Sequence, residues 1–172
     1  MPLSLPAKLV PPRTEQIILF RISNQTFAIS SASVQEVRSA DSLSGGARRV
    51  NAPGIRKVRE ALQREDQSLF IVNGAAHFGL PSSEGLLVFF LRKTRTALVI
   101  DAIEKMTTMT RLQALPLSFC HEERQWYRGL TALDQTVVPV VNPNGFLSEE
   151  ELQGLNAALL ALETPQESFP GG

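Results

Sequence analysis

The chain is poor in the residues that do most enzyme and metal chemistry. It has one cysteine, Cys120, in 172 residues. A single thiol closes no intrachain disulfide, which excludes a disulfide-stapled secreted fold. It has two histidines, His77 and His121, and neither CxxC nor HxxxH spacing occurs. A zinc site needs three or four convergent protein ligands, so no metal and no cofactor is expected. Aromatic residues make up 6%, few for a surface that stacks nucleic-acid bases. Neither sign of charge dominates: Lys plus Arg and Asp plus Glu are 17 each. The whole molecule therefore has no net field to draw nucleic acid or an anionic membrane. Long apolar runs are missing too. Even runs such as Leu86 to Leu91 are far short of the ~20 residues that span a bilayer. The opening MPLSLPAKLVPP is broken by proline and lacks the continuous apolar core of a signal peptide. The expected compartment is the cytoplasm, with no direct membrane insertion and no nucleic-acid partner.

The polar clusters that remain read as surface. Cys120-His121-Glu122-Glu123 is expected to be a surface loop, because adjacent residues in a strand face opposite ways and in a loop hold no fixed geometry. Glu65-Asp66 and Glu122-Glu123 are expected to be solvated turns. They lack the buried setting that drives two carboxyl pKa values apart. Gly45-Gly46 lacks the following Lys-Ser/Thr of a phosphate loop. The basic residues Arg48, Arg49, Arg56, Lys57, Arg59 and Arg64 have no aromatic between Asn51 and Gln67. They fit either a solvated face or a surface for an acidic protein partner.

What the chain does have is apolar material, 43% of residues, enough for a packed core. It also has an internal repeat. Arg59 and Arg128 lie 69 positions apart (128 − 59). The same offset sets Val34-Gln35-Glu36-Val37 on Ile103-Glu104-Lys105-Met106, Phe20 on Phe89, Ile22 on Leu91, and Ile71-Val72-Asn73 on Val140-Val141-Asn142. The copies run from about 17 to 79 and from 86 to 148. Each reads as short strands of β-branched and aromatic residues with polar turns, the pattern of barrels and sandwiches. In the first copy Gln16–Ser23 is followed by a turn at Asn24-Gln25 and a return from Thr26 to Ile29. In the second, Leu86–Leu91 turns at Arg92–Arg95 into Thr96–Ile100. Later hairpins pair Leu62 with Leu69–Val72, and Leu130–Leu133 with Thr136–Val141 about Asp134-Gln135. His77 and the Asp41–Pro53 stretch are expected in loops. Ser148 with Glu151 forms a capping box ahead of a helix with a stripe at Leu152, Leu155, Leu159 and Leu162. Three acids, Glu149 to Glu151, suit the positive end of its dipole. Residues 1–14 read as a flexible N-terminus, 15–164 as the folded unit and 165–172 as a disordered tail.

Several of these segments resemble the CheW-like domain found in chemotaxis coupling proteins and in the regulatory part of the chemotaxis histidine kinase. They are the repeat itself, Ser33-Val-Gln-Glu-Val-Arg38, Phe78-Gly-Leu-Pro81 after a Phe-Ile-Val strand, and Tyr127-Arg-Gly-Leu130 before Val-Val-Pro-Val-Val. The resemblance covers Gln16 to Leu162. It implies an all-β fold of two SH3-like five-stranded β-barrel lobes that exchange strands over a shared core, with a C-terminal helix. It implies an adaptor without catalysis that joins a chemoreceptor signalling tip to a CheA-type histidine kinase. It places Val34, Glu36 and Arg38 on the segment lining the receptor groove. The opposite wall is expected from the hairpin that holds Arg59, Arg64 and Glu65, giving an apolar floor and a charged rim. One stretch departs from the family. The usual Val-(Arg/Lys)-Gly-(Val/Ile)-x-Asn-Leu-Arg-Gly reads here as Val58-Arg-Glu-Ala-Leu-Gln-Arg-Glu-Asp66. Glu60 and Asp66 stand for its glycines, and the motif's arginine falls on Glu65, beside Arg64. Two other readings stay open. One is a small β-barrel that binds nucleic acid or another ligand, which a salt-dependent gel shift would reveal. The other is an enzyme on a double barrel, which would need a polar constellation.

Overall fold

A computed structural model describes residues 14–82 and 84–163. The expected flexible stretches, 1–14 apart from Thr14 and 165–172, lie outside the described residues. In chain order the elements are β1 (Glu15–Ile22), β2 (Gln25–Ser30), β3 (Val34–Ser39), β4 (Ala47–Arg49), β5 (Val58–Arg64), β6 (Gln67–Asn73), α1 (Gly74–Phe78), β7 (Leu87–Leu91), β8 (Thr96–Ile100), β9 (Ala102–Met109), α2 (His121–Trp126), β10 (Tyr127–Leu133), β11 (Thr136–Val141) and α3 (Glu149–Glu163).

Tight turns set the hairpin registers. Asp134 and Gln135 both take left-handed φ, 48° and 69°, as a two-residue turn matched to strand twist requires. The β1–β2 turn is Ser23-Asn24, one residue earlier than expected. Gln25 already pairs with Ile22, and Ser23 supplies the positive φ.

The strands form two sheets ordered β10-β11-β2-β1-β9 and β3-β7-β8-β6-β5-β4. Each sheet takes its first hairpin from one repeat copy and its remaining strands from the other, so neither lobe is made by one copy alone. The parallel joins match: Val140 sits beside Ala28 and Ile71 beside Ala97, each residue 69 from its counterpart (140 − 71 and 97 − 28). The β-bulges match as well, between Val58 and Glu60 and between Tyr127 and Gly129. The first strand differs. Ile17 faces Thr107 while Val88 faces Arg38, an offset of 71 on the β1 side (88 − 17). By ladder position Ile18, not Phe20, is the mate of Phe89. A two-residue slip keeps each side chain on its face, which is why an ungapped comparison still matched apolar with apolar.

Both sheets curl closed. The chain leaving β9 pairs with β10 through reciprocal Gln113–Leu130 hydrogen bonds of 2.7 and 2.9 Å. In the other lobe β4 does the same work against β5. The Asp41–Pro53 stretch is thus more than a loop: it holds β4 and a 3-10 turn, Ala40–Leu43, that buries Leu43.

Three cores result. The large one lies between the lobes and includes Ile18, Phe20, Ile22, Phe89, Leu91 and Leu98. Each lobe has a smaller interior, one around Ile17, Leu19 and Val140, the other around Ile71, Val88 and Phe90. Fully burying one such side chain contributes roughly 1.5–3 kcal/mol. The alternating strand faces therefore feed two cores at once, so β1 buries Ile17 through Phe20 without a break.

Helix α3 caps the central core. Ser148 and Glu151 exchange the two hydrogen bonds of a capping box, 2.9 and 3.0 Å. Leu155 and Leu159 are buried and Leu152 half-buried. Leu162 departs from the expected stripe. It is exposed together with Leu160, because the last turn reaches past the apolar surface that α3 covers. His77, expected in a loop, lies on α1 and is buried. Cys120 to Glu123 form a helix start rather than a loop: Cys120 caps α2, with Glu123 completing the box.

Candidate functional site: a charged groove beside the second lobe

Strand β3 runs along β7, and the β5–β6 hairpin rises on the other side of a groove of about 570 Å³. Arg64 joins the two walls. Its Nη2 donates to Glu36 Oε1 at 2.9 Å, and its guanidinium carbon lies 4.6 Å from the centre of the Phe90 ring. Arg38 lies 3.9 Å from the other oxygen of Glu36 and 6.0 Å from the same ring. A cation over an aromatic face gains from the ring quadrupole, and it also covers that face. Phe90 is 1% exposed, and Leu69 and Leu91 below the groove are buried. The expected apolar floor is therefore present but roofed. What faces solvent is polar: Gln35, Arg64, Glu65, Asp66, Lys93 and Arg95.

The structure gathers Glu36, Arg38, Arg64 and Glu65 at this site and leaves two expected residues elsewhere. Val34 packs in the central core at 9% exposure, so its side chain faces away from the groove. Arg59 is exposed, sits toward the far end of β5, and is bound through its carbonyl to the Val50 amide at 2.8 Å. The exposed apolar residue on β3 is Val37, at 40%. Its ladder partner is Phe89, as Leu91 is for Val34, so the register shift between Val34 and Glu36 leaves Val34 and Val37 on one side of the strand and Glu36 and Arg38 on the groove side.

Glu65 has a φ of 52°, the left-handed conformation in which glycine is at ease and other residues pay ~1–2 kcal/mol. The turn thus holds Glu65 at the tip of the β5–β6 hairpin and Arg64 at the end of β5.

Elsewhere, burial and the nearby Lys57 charge push His77 down to about 3 from 6.5. Lys57 Nζ lies 3.1 Å from His77 Nδ1 and 3.1 Å from Glu151 Oε1, so the ammonium donates to Nδ1 and the ring proton sits on Nε2. Burial, with the Glu123 charge, pushes the Tyr127 phenol up to about 12. The Arg128 guanidinium holds Glu15 below its usual 4.5 against the opposing effect of burial. Among the described residues no group of three or more His, Cys, Asp or Glu side chains converges to hold a metal ion. No described helix is long and apolar enough to cross a membrane.

Residues 16–151 match the family model of the CheW-like domain. The chain belongs to the CheW-like domain family. A curated relative, "Probable chemotaxis protein CheW" of Rhizobium etli, is 26% identical over 147 residues, covering 79% of this chain and 89% of that protein. Among solved structures, the scaffolding protein TtCheW from Thermoanaerobacter tengcongensis superposes with a TM-score of 0.61 at 11% identity. That match covers 76% of this chain and 90% of TtCheW, and it shows that the two share the CheW-like fold. The intertwined double barrel is therefore the fold of the family, and a role as a chemotaxis scaffold goes with it.

Proposed function

We propose that this CheW-like chain is a cytoplasmic, non-catalytic adaptor that couples a chemoreceptor signalling tip to a CheA-type histidine kinase. The observation that supports it most is the family match across 136 residues (16–151), on a double barrel whose strand exchange fixes both lobes as one rigid platform. The groove between β3 and the β5–β6 hairpin is the receptor-facing site. A receptor tip is a helical hairpin, and a helix laid along the groove meets the Glu36–Arg64–Arg38 cluster as its charged register. Val34 supports this wall from the core side. Because the groove is lined with charge, complementarity here sets partner choice and orientation more than raw affinity.

The test is a titration of the purified chain with a receptor signalling fragment and, separately, with the kinase regulatory domain. Saturable binding of both supports the proposal. A folded chain that binds neither refutes it.

A further inference from the structure

Arg59 and Arg128 are the extra residues of equivalent β-bulges, one in β5 and one in β10. A guanidinium in this position is well placed to take a carboxylate in a two-pronged grip. In the first lobe the chain supplies that carboxylate itself: Arg128 Nη1 and Nη2 donate to the two oxygens of Glu15 at 2.9 and 3.0 Å. In the second lobe the 71-residue offset of β1 puts Leu86 where Glu15 stands (86 − 15). Leu86 carries no charge and is 55% exposed. Among the described residues Arg59 has no carboxylate partner.

Arg59 also has basic company. With Arg56 it borders a hollow of about 300 Å³ whose walls include Val50, Ala52 and Val58, all buried. Arg49 faces Glu60 on the adjoining ladder, one step from the Val50–Arg59 hydrogen bond. Arg49, Arg56 and Arg59 are all exposed, and Glu60 faces Arg49 across the ladder. Arginines around a small apolar hollow fit an acidic side chain on an apolar stem. They fit a nucleic-acid strand poorly, since no aromatic ring borders the hollow to stack a base and Glu60 repels a continuous phosphate chain.

We propose that Arg59, with Arg56 and Arg49, forms a second docking surface for an acidic segment of a partner protein, which supplies from outside the carboxylate that Glu15 supplies to Arg128. This surface is separate from the Arg64 groove and does not depend on the receptor assignment.

The test follows arginine side-chain Nε–Hε signals by NMR at low ionic strength. The probe is a short synthetic peptide of glutamate and leucine, and a single-stranded oligothymidylate serves as the polyphosphate comparison. The peptide is expected to shift Arg56 and Arg59 but not Arg128, and Arg59→Gln should weaken its binding ~3-fold or more, the scale of an exposed charge pair. In Glu15→Gln, whose fold is checked by its backbone amide spectrum, Arg128 should begin to respond as well. Arg64→Ala should leave peptide binding unchanged. If Arg59 stays silent while Arg128 of Glu15→Gln responds, the proposal fails. If oligothymidylate shifts Arg56 and Arg59 as strongly as the peptide does, the surface is a general polyanion site and the proposal fails equally.

Discussion

Arg64 lies over Phe90, with its guanidinium carbon 4.6 Å from the ring centre, and binds Glu36 across the groove at 2.9 Å. One side chain thus closes the interior of the second lobe and presents charge to a partner. In the first lobe the residue at the same place, 69 positions on (133 − 64), is Leu133, packed against the core that holds Leu19. The two lobes solve the same packing problem with an arginine on one side and a leucine on the other, and only the arginine gives its groove a charged face.

Reversing that charge separates binding from folding. Arg64→Glu is expected to weaken binding of a receptor signalling fragment ~10-fold or more, since like charges placed together at an interface cost several kcal/mol. Its fold should be retained, because Arg64 is a third exposed and surface pairs contribute ~0–1 kcal/mol. Calorimetric titration beside thermal unfolding reads both. Unchanged receptor binding by a folded Arg64→Glu would remove the groove from the receptor interface.

Val34 and Val37 should behave as opposites. Val34→Ala deletes buried core methyls and is expected to cost ~2 kcal/mol of stability, whereas Val37→Ala should stay within ~0.5 kcal/mol. Urea unfolding of both variants checks this. A Val34→Ala protein as stable as the parent would contradict the inward packing.

Gly129 holds the first lobe closed. A Cβ there would lie 2.3 Å from the Gln113 carbonyl oxygen, which accepts the Leu130 amide. Gly129→Ala is expected to destabilise the chain by ~2–3 kcal/mol. It should also speed hydrogen exchange at the Gln113 and Leu130 amides ahead of the rest of the lobe.

Acid should weaken the fold through His77. The unfolded side chain takes up a proton below its ordinary 6.5, while the folded one resists until about 3. The stabilisation from this group is therefore present above pH 6.5 and is lost as pH falls toward 3, with a limit on the order of 4 kcal/mol. Glu15, held low by Arg128, adds to the loss below its usual 4.5. Tyr127, raised to about 12, acts at the other end, and its contribution is lost as pH rises from 10 toward 12. Denaturant midpoints measured from pH 7 to pH 5 should fall in the parent and stay flatter in His77→Phe. An equal slope in both would show that His77 is not the titrating group.

Much of this fold was legible because both periodicities are simple. Two-residue polar turns and β-branched runs marked the hairpins, and each of Ile18, Phe20, Ile22, Ile71, Val72, Phe89, Leu91, Leu98, Ile100, Val140 and Val141, expected in the core, is buried. Three features were not legible. The bulge beside Val34 breaks the alternation, so Val34 faces the core while Glu36 and Arg38 face the groove. The left-handed φ of Glu65 was not legible either, because glutamate carries no local sign of that conformation. His77 gives no local sign of burial, because the rings that enclose it, Phe78, Trp126 and Phe146, come largely from distant parts of the chain.

The central claim is that one chain bridges two partners. The direct measurement is sedimentation velocity of the purified chain mixed with a receptor signalling fragment and the kinase regulatory domain, singly and together. The account expects two binary complexes and a faster-sedimenting ternary complex that contains all three components. Competition between receptor fragment and kinase domain for one site, with no ternary species, would contradict it.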